Sequence, residues 1–153
     1  MKTSTKVITQ TLLNETTQKA QASNRFRMNY NFHEDLNEPI HRMLNAMEPD
    51  TYIRPHKHDK LEAVVILRGK MLSIIFDEEG NITQKVELSP EGENIGIEIP
   101  RETYHAVVVL EPGTIIYEVK EGPYIPLDEN NFAQWSPDGS NQEDVKEYIE
   151  KLL

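Results

Sequence analysis

Short runs of β-branched and other apolar residues recur between residues 40 and 119, and turn signals rich in Pro, Gly, Asn and Asp separate them. Strands of this length with turns at this spacing are typical of an all-β sandwich or barrel. No helical pattern of about 10 to 15 residues lies between the runs, so an alternating strand–helix architecture is disfavoured. The runs are EAVVILRG (62–69), KMLSIIFD (70–77), ITQKVEL (82–88), IGIEI (95–99), HAVVVL (105–110) and TIIYEV (114–119).

Alternation within the runs predicts which side chains lie on the same side of a sheet, because residues i and i+2 of a strand point the same way. Leu72, Ile74 and Phe76 should therefore share one face. The run 63–67 is apolar at every position, which favours a strand that is covered on both faces. A second subunit could supply one of these covers, so we expect a homodimer.

The two ends of the chain carry helical patterns. Residues 8–22 have sparse apolar spacing that predicts a short helix, and the polar, turn-rich stretch 23–39 should connect it to the strands. Ser140, followed three residues later by Glu143, forms a capping-box pattern, and an apolar stripe along 145–152 predicts an amphipathic helix that docks onto the sheet. We expect a single domain, 1–153, with a helix and polar arm (1–39), a β-sandwich core (40–120) and an irregular segment with a C-terminal helix (121–153).

Composition narrows the possible partners. The formal net charge of −10 disfavours a nucleic-acid or anionic membrane surface, although local arginines could still bind a small anion. The chain has no cysteine, which excludes disulfides, zinc–thiolate sites, iron–sulfur clusters and thiol catalysis. Neither a signal-peptide pattern nor a segment of membrane-spanning length is visible in the sequence, so we expect a cytoplasmic protein without a membrane partner.

The stretch RPHKHDKLEAVVILRG (54–69) carries the candidate chemistry. In an extended chain His56 and His58 point the same way about 6 to 7 Å apart, so their rings could converge on one ion. Glu62 follows at the start of a strand, and non-local pairing could bring His105 beside them. Imidazole with carboxylate suits Mn, Fe, Co, Ni or Zn. The alternative is a solvated polar turn that enters a strand.

The spacing of these residues resembles the two motifs of the cupin superfamily. Residues 56–69 fit HxHx3Ex6G without a gap, and residues 100–105, PRETYH, fit Px4H. The resemblance implies an all-β double-stranded β-helix, the jelly roll of cupins. It also implies that one divalent transition metal ion per chain is bound by His56, His58, Glu62 and His105.

This sequence departs from the cupin motifs at three positions. Asp50 stands where the first motif has a preceding glycine, and Glu102 stands where the second motif has an inner glycine. Val109 replaces the asparagine that follows the motif histidine. None of these is a ligand position, so the expected metal site is unaffected, while transfer of function from the best-known cupin enzymes is weakened.

A narrower resemblance extends over residues 23–137. The stretch SNRFRMNYNFHEDLNEPIHRMLNAMEPDTYIRPHKH is similar to the WbuC-type cupin-fold metalloproteins, a bacterial group named from an O-antigen gene cluster. KEGPYIPL and FAQWSP, further along the chain, are similar to that group too. The group's name gives a weak link to surface polysaccharide metabolism.

Five residues near these motifs are candidates for binding an anionic small molecule. Tyr52 and Arg54 share the parity of the two histidines and should face the same cavity. Arg25, Arg27 and His33 lie in the polar arm, where they could close over the barrel mouth. The competing interpretation is that Arg54 reaches solvent and that the arm residues are ordinary loop charges.

Three functions remain open from the sequence. The first is a metalloenzyme that decarboxylates, oxygenates or isomerises a small carboxylate or a carbohydrate-derived acid. The second is a metal-dependent binding protein without turnover, favoured by the lack of any motif that places a general acid or base. The third is a metal-free sugar-epimerase-type cupin with a histidine base, which the complete set of four donors disfavours. The sequence places no catalytic residue.

Overall fold

The computed structural model describes residues 4–153. The first three residues of the expected N-terminal arm lie outside this range. Two helices and eight strands follow along the described chain. They are α1 (Gln10–Ala22), β1 (Arg27–Asn31), β2 (Ile40–Met47), β3 (Glu62–Arg68), β4 (Met71–Phe76), β5 (Ile82–Leu88), β6 (Gly96–Ile99), β7 (Tyr104–Val109), β8 (Thr114–Glu121) and α2 (Gln142–Leu152).

The strands form two antiparallel sheets. One has five strands in the order β1-β2-β8-β3-β6, and the other has three in the order β5-β4-β7. The pairings β2–β8 and β4–β7 join strands that are distant in sequence, as a jelly roll requires. The all-β cupin fold with a helix at each end is therefore confirmed. All six strands expected between residues 62 and 119 are present.

The space between the sheets is filled by alternate side chains of facing strands. Val64 and Ile66 of β3 pack with Met71 of β4, Val109 of β7 and Ile116 of β8. Each of these side chains is less than 5% exposed, so burial of apolar area holds the two sheets together. The first residue of β3 is a glutamate, and the same alternation turns it towards this interior.

The first helix covers part of the outer face of the five-stranded sheet. Leu13 and Ala20 pack on Leu44 and Ile115, and Thr9 caps the helix by accepting a hydrogen bond from the amide of residue 12. The stretch 23–39 also contains a strand, β1, which its polar pattern does not predict. The main chain of β1 pairs with β2, and its side chains are partly or fully exposed.

The second helix packs on the outer face of the three-stranded sheet. Leu72, Ile74 and Phe76 share that face, as their spacing predicts, and Leu152 of α2 contacts them. The expected capping box is wrong in its details. The N-cap is Asn141, whose side chain accepts from the amides of residues 143 and 144, and not Ser140.

The outer face of β3 is only partly covered within the single chain, and its cover by a second subunit stays a prediction. Val65 is 44% exposed on the outer face of the five-stranded sheet, beyond the part that α1 covers. Within residues 4–153, neither helix is long and apolar enough to cross a membrane.

Candidate metal centre

The chain brings His56 and His105 together through their own backbones. The amide of His56 donates to the carbonyl of His105 at 3.1 Å, and the amide of His105 donates back at 3.0 Å. This reciprocal pair places the two ring centroids 4.5 Å apart at the start of β7. The non-local contact that the sequence left open therefore forms.

Backbone carbonyls set the tautomers of these two rings. Nδ1 of His56 lies 2.8 Å from the carbonyl oxygen of Arg54, and Nδ1 of His105 lies 2.8 Å from that of Thr103. Since a carbonyl only accepts, each Nδ1 carries the proton and each Nε2 presents a lone pair. Metal-ligating histidines are typically oriented in this way. Nε2 of His105 is buried, and Oε1 of Glu62 lies 3.3 Å from it.

The third histidine completes a cluster. The ring of His58 lies 5.4 Å from that of His105 and 5.7 Å from that of His56, centroid to centroid. The potential ligand atoms of the three lie within 4.8 Å of one another. Ligand nitrogens about 2.1 Å from one ion are at most about 4.2 Å apart. The cluster therefore fits a metal ion after a small contraction of the side chains.

Glu62 lies against two of these rings. Its Oε2 is 3.0 Å from Nε2 of His58, and its Oε1 is 3.3 Å from Nε2 of His105. The side chain is buried at the head of β3. Burial alone would raise the pKa of Glu62, but hydrogen bonds from His105 and His58 outweigh it and hold the pKa well below its ordinary value. The carboxylate is therefore ionised beside the histidines.

Burial and neighbouring charge also shift the pKa values of His56 and His105, and the two shifts have opposite directions. Burial lowers the pKa of His56 to about 4, and the neighbouring His105 adds to this. Burial also lowers the pKa of His105, but the hydrogen bond and the negative charge of Glu62 outweigh it, so the net shift is upward. The neutral imidazole of His56 is the form that binds a metal ion.

A large cavity of about 930 Å³ borders the cluster at His56. Tyr52 and Arg54 line it, as their parity predicts, and so do Arg25 and Arg27 of the N-terminal arm. The structure therefore brings four of the five candidate ligand-binding residues to one cavity beside the histidines.

The arginines of the large cavity are bound to its wall. Arg54 donates to the carbonyl of Ala133 at 3.1 Å and to the hydroxyl of Ser136 at 3.3 Å, and its guanidinium lies over the ring of Phe132. Arg27 donates to the hydroxyl of Thr51 and to the carbonyl of residue 52. Burial lowers the pKa of Arg27 to about 10, and Arg25 contributes to this shift. Both side chains therefore stabilise the loops as well as charging the cavity.

His33 lies elsewhere. Its Nδ1 accepts a hydrogen bond from the amide of Arg42 at 3.1 Å, and its ring stacks on His41 at 4.1 Å. Nε2 of His41 donates to the carbonyl of Leu36 at 3.0 Å. His33 is buried and is not among the residues that line the large cavity. These contacts give His41 a structural role.

A smaller cavity of about 160 Å³ borders the cluster at His58. Glu118 and Lys120 of β8 line it, and residues 123–127 close it on one side. Nζ of Lys120 lies 4.0 Å from Oε2 of Glu62. Burial, with the charge of Glu62, raises the pKa of Glu118 to about 7. Sequence reasoning missed both residues, although two charged side chains of one parity interrupt the apolar run of β8.

Glu102 stands where cupins have an inner glycine, and its backbone conformation is one that glycine favours. Glu102 adopts a φ of 56°, in the left-handed region that glycine enters most easily. Its amide donates to the carbonyl of His58 at 2.7 Å, so this turn supports a histidine of the cluster. Tyr104, next to the cluster, packs on Trp135 in the outer core, as expected from its parity.

Comparison with known proteins places the chain in a family. The family model described as "Domain of unknown function (DUF6016)" matches residues 8–88. The chain belongs to the DUF6016 family. The match covers more than half of the chain, including three of the four expected ligands, and ends before His105. No curated protein matches this DUF6016 protein.

Solved structures share the fold of this DUF6016 protein at low sequence identity. KdgF from Halomonas sp. is 17% identical with a TM-score of 0.52, over 65% of this chain and 82% of that chain. The SPY1581 protein of Streptococcus pyogenes is 14% identical with a TM-score of 0.52, over 67% and 80%. A mutant of oxalate decarboxylase OxdC from Bacillus subtilis is 17% identical with a TM-score of 0.51, over 78% of this chain and 38% of that chain. These similarities support the cupin fold of the DUF6016 protein.

Proposed function

We propose that this protein is a mononuclear metal-dependent cupin that acts on a small carboxylate or a carbohydrate-derived acid. The observation that carries the proposal is the preset orientation of His56 and His105. Both rings use Nδ1–H on a backbone carbonyl and turn a bare Nε2 into a buried cluster. A buried imidazole lone pair that faces a carboxylate is costly unless a cation binds between them.

Glu62 is the proposed fourth ligand. Its carboxylate lies within 3.3 Å of two of the histidine Nε2 atoms and is ionised. Three neutral imidazoles and one carboxylate suit Mn, Fe, Co, Ni or Zn, and leave about two positions of an octahedral ion open. A divalent ion held there would supply Lewis-acid or oxygen chemistry.

The large cavity is the proposed site for the anionic part of the ligand. Arg54 and Arg25 line it beside His56 and give positive charge locally, while Asp50, Glu129 and Asp138 also line it, in a chain whose net charge is −10. A local cluster of arginines can override the overall sign at short range. The oxalate decarboxylase that shares the fold acts on a small carboxylate, which is consistent with this substrate class.

The finer parts of the proposal rest on the sequence resemblance. We expect a WbuC-type cupin, a cytoplasmic homodimer and a link to surface polysaccharide metabolism. Glu118 adds support for turnover over simple binding, because it gives the site a carboxylate outside the proposed ligand set. Size-exclusion chromatography with light scattering tests the dimer.

The proposal is tested by elemental analysis of protein purified without an affinity metal. We expect close to one Mn, Fe, Co, Ni or Zn per chain in the wild type. His58→Ala should keep the circular-dichroism spectrum and lose most of that metal, whereas the exposed-site control Glu91→Gln should keep it. An empty wild-type chain that cannot be loaded, or unchanged metal in His58→Ala, would contradict the proposal.

A further inference from the structure

One wall of the smaller cavity is the inner face of β8, a strand between β2 and β3 in the five-stranded sheet. The charged residues Asp59, Lys60 and Glu121 also line this cavity. In the register of that sheet, Lys120 lies opposite Glu62 and His41, while Glu118 lies opposite Val64 and Met43. Since facing residues of paired strands share a side, both point to the side of the histidine cluster.

The ammonium group of Lys120 has hydrogen-bond donors that are available to a ligand. Its Nζ lies 4.0 Å from Oε2 of Glu62, which is too far for a hydrogen bond, and no other side-chain partner is found for it among residues 4–153. An ammonium group has three donors. In an enclosed cavity these donors favour a carboxylate or another small anion more strongly than in water.

Glu118 restricts what else the ligand can carry. Its carboxylate lines the same cavity, two residues before Lys120. When Glu118 is ionised, a second carboxylate on the ligand would meet it as a like charge, and an apolar end would offer it no hydrogen bond. A hydroxyl group would donate to it. The cavity is about 160 Å³, which on the scale of about 30 Å³ per water molecule suits a ligand of only a few carbon atoms.

We propose that this cavity is a second binding site, for a short hydroxy acid, in which Lys120 binds the carboxylate and Glu118 accepts a hydrogen bond from the hydroxyl. This site goes beyond the proposed function. Its binding groups are side chains of β8, so binding of the acid can be measured with and without a bound metal ion. Its position at His58 would hold the acid beside the histidine cluster, next to the arginine-lined cavity, with which it shares Tyr124 and Leu127 as wall residues.

The test uses calorimetric titration of three acids of similar size into manganese-treated and EDTA-treated protein. Lactate carries the hydroxyl, propionate lacks it, and malonate replaces it with a second carboxylate. Wild type should bind lactate most tightly. Lys120→Met should weaken lactate about tenfold or more, as expected for loss of a hydrogen bond to a charged group. Glu118→Gln should remove most of the preference for lactate over malonate.

Metal content is measured on the same samples, and Glu91→Gln serves as the surface control. A wild-type protein that holds no metal would contradict the proposed function. The dependence of lactate binding on Lys120 and Glu118 would still test the second site in that metal-free protein. The second site is overturned if lactate does not bind, or if Lys120→Met lowers only the metal content. It is equally overturned if Arg54→Gln abolishes lactate binding while Lys120→Met does not, because the acid would then lie in the large cavity.

Discussion

The two cavities that flank the histidine cluster are built in different ways. Two arginines of the large one, Arg27 of β1 and Arg54, are bound to backbone and side-chain oxygens of the wall. In the small one, whose lining also includes Asp59, Lys60 and Glu121, Lys120 of β8 has only a 4.0 Å ion pair with Glu62 as a side-chain contact among the described residues. The anchored arginines therefore help to hold this fold together, whereas the ammonium group of Lys120 is available for a ligand.

The largest effect is expected at the cluster that both cavities share. Glu62→Gln keeps the shape of the side chain and removes its charge, so metal affinity should fall by about 100-fold, at the upper end of what altered metal surroundings cost. Competition with a fluorescent chelator measures this change. Glu91→Gln is the exposed control. Unchanged metal affinity in Glu62→Gln would mean that only the three histidines bind the metal.

A pH effect should appear on the small-cavity side. The pKa of the Glu118 carboxyl is about 7 in the folded protein, against an ordinary value of 4.5, while Glu62, Lys120 and His105 contribute charge around it. The folded state then binds a proton that the unfolded state has lost, so this group lowers the free energy of unfolding as the pH rises from about 4.5 to 7.

Glu118→Gln should remove this dependence. In metal-free protein, its free energy of unfolding relative to wild type should increase by about 2 kcal/mol between pH 5 and pH 8. Urea denaturation at the two pH values measures the difference. Parallel behaviour of the two proteins across this range would show that Glu118 is ionised throughout.

The contrast between the walls predicts different costs of truncation. Arg54→Ala removes two hydrogen bonds that join the cavity to the segment at residues 133–136, so the free energy of unfolding should fall by about 1 to 2 kcal/mol. Lys120→Ala should change it by less, by up to about 1 kcal/mol, since its ammonium has only a 4.0 Å ion pair with Glu62. Equal losses in urea denaturation would remove the distinction between the two cavities.

The smallest effect concerns the turn that supports His58. The left-handed backbone conformation of Glu102 is strained for a residue with a side chain, whereas glycine adopts it freely. Glu102→Gly should therefore raise the free energy of unfolding by about 0.5 to 1 kcal/mol. The midpoint of urea denaturation measures this gain. A loss of stability would mean that the side chain of Glu102 contributes more than its backbone strain costs.

Patterns local in the chain determined most of the fold. The alternation of apolar residues in 62–119 is enough to predict six strands, because each strand must bury one set of side chains between the sheets. Helices α1 and α2 follow from their own periodicity. Strand β1 could not be predicted in this way, since its side chains are polar and its pairing with β2 is made by the main chain.

The four candidate ligands were also readable from the sequence, since three lie within seven residues and the cupin resemblance supplies the fourth. Only the tertiary structure decided what surrounds them. Backbone pairing of His56 with His105 brings their rings together, and the register of β8 turns Glu118 and Lys120 towards the cluster. The tertiary structure also stacks the ring of His33 on that of His41, so His33 does not line the large cavity. These outcomes depend on contacts between residues far apart in the chain, and local pattern carries no information about such contacts.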